Sequence, residues 1–267
     1  MVADLDGDRL ARALLGQGQP WTRVQVVPST GSTNADVADA VRAGAAEGLV
    51  LVANHQRAGR GRLGRTWETP AGSGLAVSVL LRPDAVAAAR WPWLPLLTGV
   101  ALAEGLRRSA GVAAELKWPN DVLVAGRKLA GVLVERVDGP SGPAAVVGFG
   151  VNVGLAVADL PAPQATSLAI LEAPTLDRGE LLTAVLIELG ERYLAWRAAG
   201  AATEPLRETY VGRCATLGQP VSVQLPDGST LRGQATGIDG SGRLLVSTRT
   251  GVQAVGAGDV LHLLPGP

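Results

Sequence analysis

The segment best equipped for chemistry is Gly59-Arg60-Gly61-Arg62-Leu63-Gly64-Arg65-Thr66-Trp67, which follows a short apolar run. No regular element favours this sequence, because glycine costs helices and strands backbone entropy and close arginines repel one another. It reads as a loop that stays mobile until an anion arrives. Arginine forks give carboxylates and phosphates directed, charge-assisted hydrogen bonds, and glycines let the backbone come close. Ordering such a loop costs on the order of 1–2 kcal/mol per residue, so its ligand must be multiply charged. Two other readings stand beside this one. A solvated charge run is the plainer. An RGG-type nucleic-acid segment is the other, but such segments repeat and this one occurs once. A P-loop is excluded in form, since no G-K-[ST] follows.

A second segment is Lys117-Trp118-Pro119-Asn120-Asp121, followed by Gly126-Arg127-Lys128-Leu129-Ala130-Gly131. All but two of the 24 basic residues are arginine, and the two lysines, Lys117 and Lys128, fall here. Lysine is a compact, flexible point charge where arginine is a wide fork. The two lysines flank an expected hairpin and could face one pocket. Asn120 and Asp121 offer hard oxygen atoms of the kind Mg²⁺ takes alongside phosphate oxygens, with Asp121 the candidate metal ligand. An ordinary Asn-Asp turn with exposed lysines is the competing reading.

The third is Gly148-Phe149-Gly150-Val151-Asn152-Val153-Gly154. Its spacing is G-x-G-x-x-x-G, and Pro161 and Pro163 prevent a Rossmann helix from following. Nicotinamide binding is therefore rejected. A glycine-rich strand that admits a ligand to the backbone fits better, with Asn152 as a polar contact.

Alternating strands and helices must position these segments. Strand patterns occur at residues 23–28, 49–53, 74–82, 114–118, 121–124, 128–137 and 144–149. Thr33-x-x-Asp36 has capping-box form and opens a helix to about residue 43. A second helix covers residues 94–109 and ends at Gly111. A third, capped by Asp177-x-x-Glu180, runs to about residue 199, and a short one covers 203–212. Residues 1–20 read as a short helix or loose arm. From residue 214 short strands and glycine turns replace this pattern, with strands at 221–225, 231–238, 243–248 and 252–255, as in a small barrel. Three parts are expected: an arm (1–20), a ligand-binding domain (21–213) and a small β domain (214–267).

Composition narrows the classes. Of 267 residues, 47% are hydrophobic and 18% charged, with 24 acidic residues against 24 basic ones. That is a globular balance without the basic excess of a general nucleic-acid binder. One cysteine, Cys214, and two histidines, His55 and His262, leave no disulfide framework, zinc cluster or histidine metal site. A reducing cytoplasmic setting is expected, with no targeting segment and no membrane span. Cys214 reads as a packed thiol near the domain junction, and His55 as structural.

Together these segments resemble the biotin protein ligase family. The carriers, in the family's order, are Ser32-Thr33-Asn34, the glycine–arginine loop, K-W-P-N-D at Lys117 to Asp121, Lys128 before L-A-G, G-x-G-x-N-V at Gly148 to Val153, and Thr166-Ser167-Leu168. The resemblance covers about residues 21–267. It implies an α+β catalytic domain of the class II aminoacyl-tRNA synthetase type and a C-terminal SH3-like β-barrel. It implies ATP-dependent formation of biotinyl-5′-AMP, then transfer of biotin to a lysine of a biotin carboxyl carrier domain of acetyl-CoA or related carboxylases. Biotin, ATP and Mg²⁺ are the implied ligands. Ser32, Thr33, Asn34 and Gln56 would contact biotin's ureido ring and neighbouring parts. Arg60, Gly61 and Arg62 would close over the biotin carboxylate and adenylate phosphate. Lys128 would bridge carboxylate and α-phosphate, making Lys128, Arg60 and Arg62 the catalytic set. Arg65, Trp67, Lys117, Asn120, Asp121 and Asn152 would serve the nucleotide. Some members carry an N-terminal winged-helix domain. The residues before the first strand are too few for one, so no DNA partner or repressor role is expected. The alternatives are a lipoate ligase, a non-catalytic regulator retaining biotin or adenylate, and a nucleic-acid reader. The family includes monomers and dimers, and the sequence leaves that choice open.

Overall fold

The structure, a computed structural model, describes residues 5–16, 18–200 and 204–262. The chain begins with α1 (Gly7–Leu14), β1 (Arg23–Val27), α2 (Thr33–Arg42), β2 (Leu49–Ala53) and β3 (Gly74–Leu81). Next come α3 (Trp93–Ala110), β4 (Glu115–Lys117), β5 (Asp121–Val124), β6 (Arg127–Gly139) and β7 (Gly142–Asn152). Two helices, α4 (Arg178–Ala198) and α5 (Glu204–Val211), precede the last strands, β8 (Pro220–Gln224), β9 (Thr230–Ile238), β10 (Leu244–Thr248), β11 (Gly251–Val255) and β12 (Asp259–His262).

The larger sheet has strand order β1-β2-β3-β7-β6-β5-β4. Only β1 and β2 pair in parallel, because α2 carries the chain between them. Alternation along the strands feeds two cores. On one face, Val37 and Val41 of α2 pack on Leu51, Leu80, Val137 and Val146. On the other, α3 and α4 cover Val50, Val77, Val132 and Val147. Helix α3 is buried nearly all round, so it lacks the usual one-sided stripe. Its end is set by Gly111 at φ 64°, a left-handed position where glycine carries no Cβ penalty.

The smaller sheet, order β11-β10-β9-β8-β12, is antiparallel. Its core residues Val221, Val223, Ala235, Leu244 and Val246 join the same apolar cluster as α3. Trp118 ties the junction: its backbone N–H donates to Thr216 Oγ1 at 3.1 Å, and its indole N–H donates to the Gly242 carbonyl at 3.0 Å. Cys214 is buried at this junction and bridges to Leu116. Burial pushes its thiol pKa up, against hydrogen bonds from Thr216 and Leu217.

Of the two forms expected for residues 1–20, the described part takes the short helix, with α1 capped by Asp6 and burying Leu10 and Leu14. Several expectations are corrected. The cap of α2 is Ser32 rather than Thr33; its hydroxyl accepts from the Ala35 N–H at 3.5 Å, and Thr33 is already helical. Strand β7 extends to Asn152, beyond the residue 149 expected. Strand β12 was not expected at all. Residue 203, where the short helix was expected to start, lies outside the described residues.

Candidate active site

The face of the large sheet covered by α2 is left open beyond the start of that helix. There the strands carry glycine instead of side chains, at Gly131 on β6 and at Gly148 and Gly150 on β7. The result is a cavity of about 660 Å³, including its open mouth. The protein's own side chains also lie against these glycines. A Cβ on Gly150 would run into the Trp67 indole and one on Gly148 into the Asn34 amide, while one on Gly131 would press on Lys128 and Trp67.

One end of the cavity is a neutral polar cluster at the start of α2. Gln56 Oε1 accepts from the Thr33 N–H at 2.9 Å and from the Thr33 hydroxyl at 3.1 Å. The buried Ser78 hydroxyl lies 2.8 Å from Thr33 Oγ1 and 2.6 Å from Asn34 Oδ1. Such a set of donors and acceptors suits a neutral, amide-like ring. Ser78 was missed in the sequence, where it reads as one polar residue inside an apolar strand.

The other end is cationic. The glycine–arginine segment forms a tight loop, with Gly61 N–H donating to the Arg65 carbonyl at 2.6 Å and Trp67 N–H to the Gly59 carbonyl at 2.9 Å. A 3₁₀ turn at Arg62–Gly64, where no regular element was expected, places Leu63 at φ 55° and Gly64 at φ 74°. Arg60 Nη2 pairs with Glu135 Oε2 at 3.2 Å. Arg62 Nη1 donates to Asn120 Oδ1 at 3.3 Å and to the Gly258 carbonyl at 3.2 Å. Burial lowers the Arg62 pKa, and the Asp259 charge pushes back. The guanidinium stays charged at neutral pH.

Lys128 is aimed by a bulge, since the β5–β6 register slips by one residue between Val122 and Leu123. A strap across β6 holds it further: Lys128 N–H donates to the Gln164 carbonyl at 2.7 Å, and Thr166 N–H donates to the Lys128 carbonyl at 2.8 Å. The ammonium lies 5.5 Å from the centre of the Trp67 ring. It is 2.5 Å from Asp121 Oδ1, an ion-pair contact without hydrogen-bond alignment. Among the described residues no group of three His, Cys, Asp or Glu side chains could hold a metal.

Of the expected residues, Ser32, Thr33, Asn34, Gln56, Arg60, Gly61, Arg62, Arg65, Trp67, Asn120 and Lys128 line this one cavity. Asp121 stands behind Lys128. Asn152 is buried at the end of β7, where Nδ2 donates to the Thr166 carbonyl at 2.9 Å. Its Oδ1, Thr166 Oγ1 and Trp67 Nε1 are buried without a partner. The two lysines do not share the pocket: Lys117 is absent from the lining, and its charge acts on His262 at the domain junction. Two carboxylates that hold the loop, Glu135 and Asp259, were not foreseen.

Comparison with known proteins follows this geometry. Residues 26–152 match the model of the biotin/lipoate A/B protein ligase family, and residues 216–263 match the biotin protein ligase C-terminal domain. The chain is 41% identical over 263 residues to the biotin–[acetyl-CoA-carboxylase] ligase of Mycobacterium tuberculosis, covering 97% of this chain and 96% of that protein. It is 32% identical over 247 residues to the bifunctional ligase/repressor BirA of Bacillus subtilis, covering 91% of this chain and 74% of that one. The solved structure of the Aquifex aeolicus biotin protein ligase in complex with biotin and ATP superposes with a TM-score of 0.78 at 27% identity, covering 90% of this chain and 98% of that one.

Proposed function

Because the chain belongs to the biotin protein ligase family, we infer that it joins biotin to ATP as biotinyl-5′-AMP and passes the biotinyl group to a carrier lysine. Its α+β catalytic unit and small C-terminal β domain are those of the family. The observation that carries the reading is one cavity with a neutral polar end and a cationic end. The Thr33, Asn34 and Gln56 cluster suits the ureido ring, and Arg60, Arg62, Arg65 and Lys128 suit the carboxylate and phosphates.

The chemistry needs no nucleophilic side chain. The biotin carboxylate attacks the α-phosphorus, a C(O)O–P bond forms, and pyrophosphate leaves with the electron pair of the broken P–O bond. Two anions must meet for this, and the loop cations with Lys128 lower their repulsion and stabilise the charge of the transition state. Lys128 bridges carboxylate and α-phosphate. Arg60 and Arg62 hold the anhydride and exclude water until an amine arrives. That amine attacks the acyl carbon, AMP departs, and the amine's proton passes to solvent. Trp67 and Asn152 receive the nucleoside; the unpartnered indole N–H and Asn152 Oδ1 are a donor and an acceptor without other employment.

A magnesium ion carried by ATP's own phosphates needs only one or two protein carboxylates, and Asp121 Oδ1 is a buried oxygen that accepts no aligned hydrogen bond. Asp121 would be that carboxylate, with Asn120 beside it. When bound, the ion neutralises phosphate charge. Among the described residues no helix is long and apolar enough to cross a membrane. A cytoplasmic site of action suits a chain whose only cysteine is a buried free thiol.

The acceptor is a biotin carboxyl carrier domain of an acetyl-CoA or related carboxylase. Mass spectrometry of such a domain, incubated with the protein, ATP and either biotin or lipoate, tests the reading. One biotinyl group on one lysine is expected. Lipoylation instead would place the chain with the lipoate ligases. An unmodified carrier with bound biotin would leave a binding protein.

A further inference from the structure

Glu135 belongs to no motif, yet a single oxygen of its carboxylate reaches both ends of the site. Oε2 accepts from Asn34 Nδ2 at 2.7 Å and from Arg60 Nη2 at 3.2 Å. We propose that Glu135 is a positioning residue: it fixes the Asn34 amide for the substrate's ring and holds Arg60 until the substrate's carboxylate displaces it. The inference rests on the biotin ligase reading of the cavity.

The Asn34 half follows from its surroundings. One side of the amide meets two acceptors, Glu135 Oε2 and the Leu133 carbonyl, the latter at 3.3 Å. The other side meets the Ser78 hydroxyl at 2.6 Å. Only an NH₂ group can serve two acceptors, so the amide is locked with Oδ1 on the Ser78 side. Asn34 sits against Gly148, where any Cβ would displace its amide. Without the carboxylate the amide loses the stronger of the two partners that set its direction.

The Arg60 half follows from exposure. Both side chains are partly exposed, 48% for Arg60 and 32% for Glu135. A pair so exposed holds weakly, because solvent screens the charges and both side chains must be held in place. It keeps the guanidinium beside the cavity at little cost to its release. A substrate with a neutral ring and a carboxylate engages both dependants of Glu135, so ring binding and release of Arg60 are linked through one oxygen.

The test measures biotin-dependent pyrophosphate exchange into ATP for the wild type, Glu135→Ala and Glu135→Gln, each checked for folding by circular dichroism and thermal melting. Glu135→Ala is expected to raise the biotin KM at least tenfold, with the ATP KM moving less than threefold. Glu135→Gln keeps an oxygen that can accept from Asn34 and is expected to recover most of that loss. Adding Arg60→Ala to Glu135→Ala should raise the biotin KM by less than the product of the two single effects. A biotin KM within twofold of wild type in folded Glu135→Ala overturns the proposal. So does Glu135→Gln failing as badly as Glu135→Ala. Absence of exchange in the wild type would strike the ligase reading itself, which keeps the two failures distinct.

Discussion

Arg65, at the end of the glycine–arginine loop, is ion-paired with Asp259, the first residue of the last strand, at 3.0 Å across 194 positions of sequence. Arg62 reaches the same place through the Gly258 carbonyl. The small β domain therefore holds one flank of the catalytic loop, and Glu135 holds the other.

This arrangement makes Asp259 matter for retention more than for stability. The pair is partly exposed, so its loss should change global stability by less than about 1 kcal/mol. Asp259→Asn should nonetheless speed escape of biotinyl-5′-AMP several-fold, read by filtration of preformed enzyme–adenylate. Raising the salt concentration should imitate the variant, because screening weakens exposed pairs first. Equal escape rates in the variant and the wild type would remove the β domain from loop control.

Lys128→Ala should abolish adenylate formation while the protein stays folded. Losing one preorganised donor at a developing charge costs about 10²–10³ in rate. The side chain is partly exposed and packs on Trp67 rather than within a core. Biotin-dependent exchange near the wild-type rate would take Lys128 out of the chemistry.

Gly150→Ala should strike the nucleotide side. The added methyl meets the Trp67 indole, so either the ring moves or β7 does. Overpacking of this kind costs about 1–3 kcal/mol. A lower melting temperature and a raised ATP KM are expected together. A normal ATP KM would show that Trp67 does not hold the nucleoside.

A pH dependence comes from His262, whose Nε2 lies 3.2 Å from Thr216 Oγ1 at the domain junction. Burial lowers its pKa, with a further push from the Lys117 charge. The unfolded chain then binds the proton more readily than the folded one. The associated stability is complete above the ordinary histidine value of about 6.5 and is lost as pH falls from there to the lowered folded value. Urea midpoints between pH 8 and pH 5 should fall in the wild type and flatten in His262→Gln. Parallel profiles would assign the slope to other groups.

Much of this architecture is legible in the sequence because periodicity and punctuation agree. The apolar run at β2 and the Gly111 stop are local signals, and the structure keeps them. The sequence points to Thr33 as the cap because Thr33-x-x-Asp36 has the capping-box form that Ser32-x-x-Ala35 lacks, whereas the backbone turns helical at Thr33 itself. Strand β12 was missed because four residues after a glycine pair carry too little alternation, and only the edge of β8 makes them a strand. Lys117 and Lys128 looked like pocket partners because a hairpin brings their backbones together, but the β5–β6 bulge aims only Lys128 inward. Glu135 and Asp259 carry no motif, since their roles depend on which arginine lies opposite in space. A trace of Glu135 was present all the same: with period two it shares a face with Leu133 and Val137, and a carboxylate on such a face needs a partner.

Pyrophosphate exchange into ATP, run with biotin, with lipoate and with neither, tests the central claim most directly. Exchange that requires biotin, and is absent with lipoate or with no acid, is the expected result. Folded protein that gives no exchange with biotin would contradict the account, leaving the cationic loop without the reaction assigned to it.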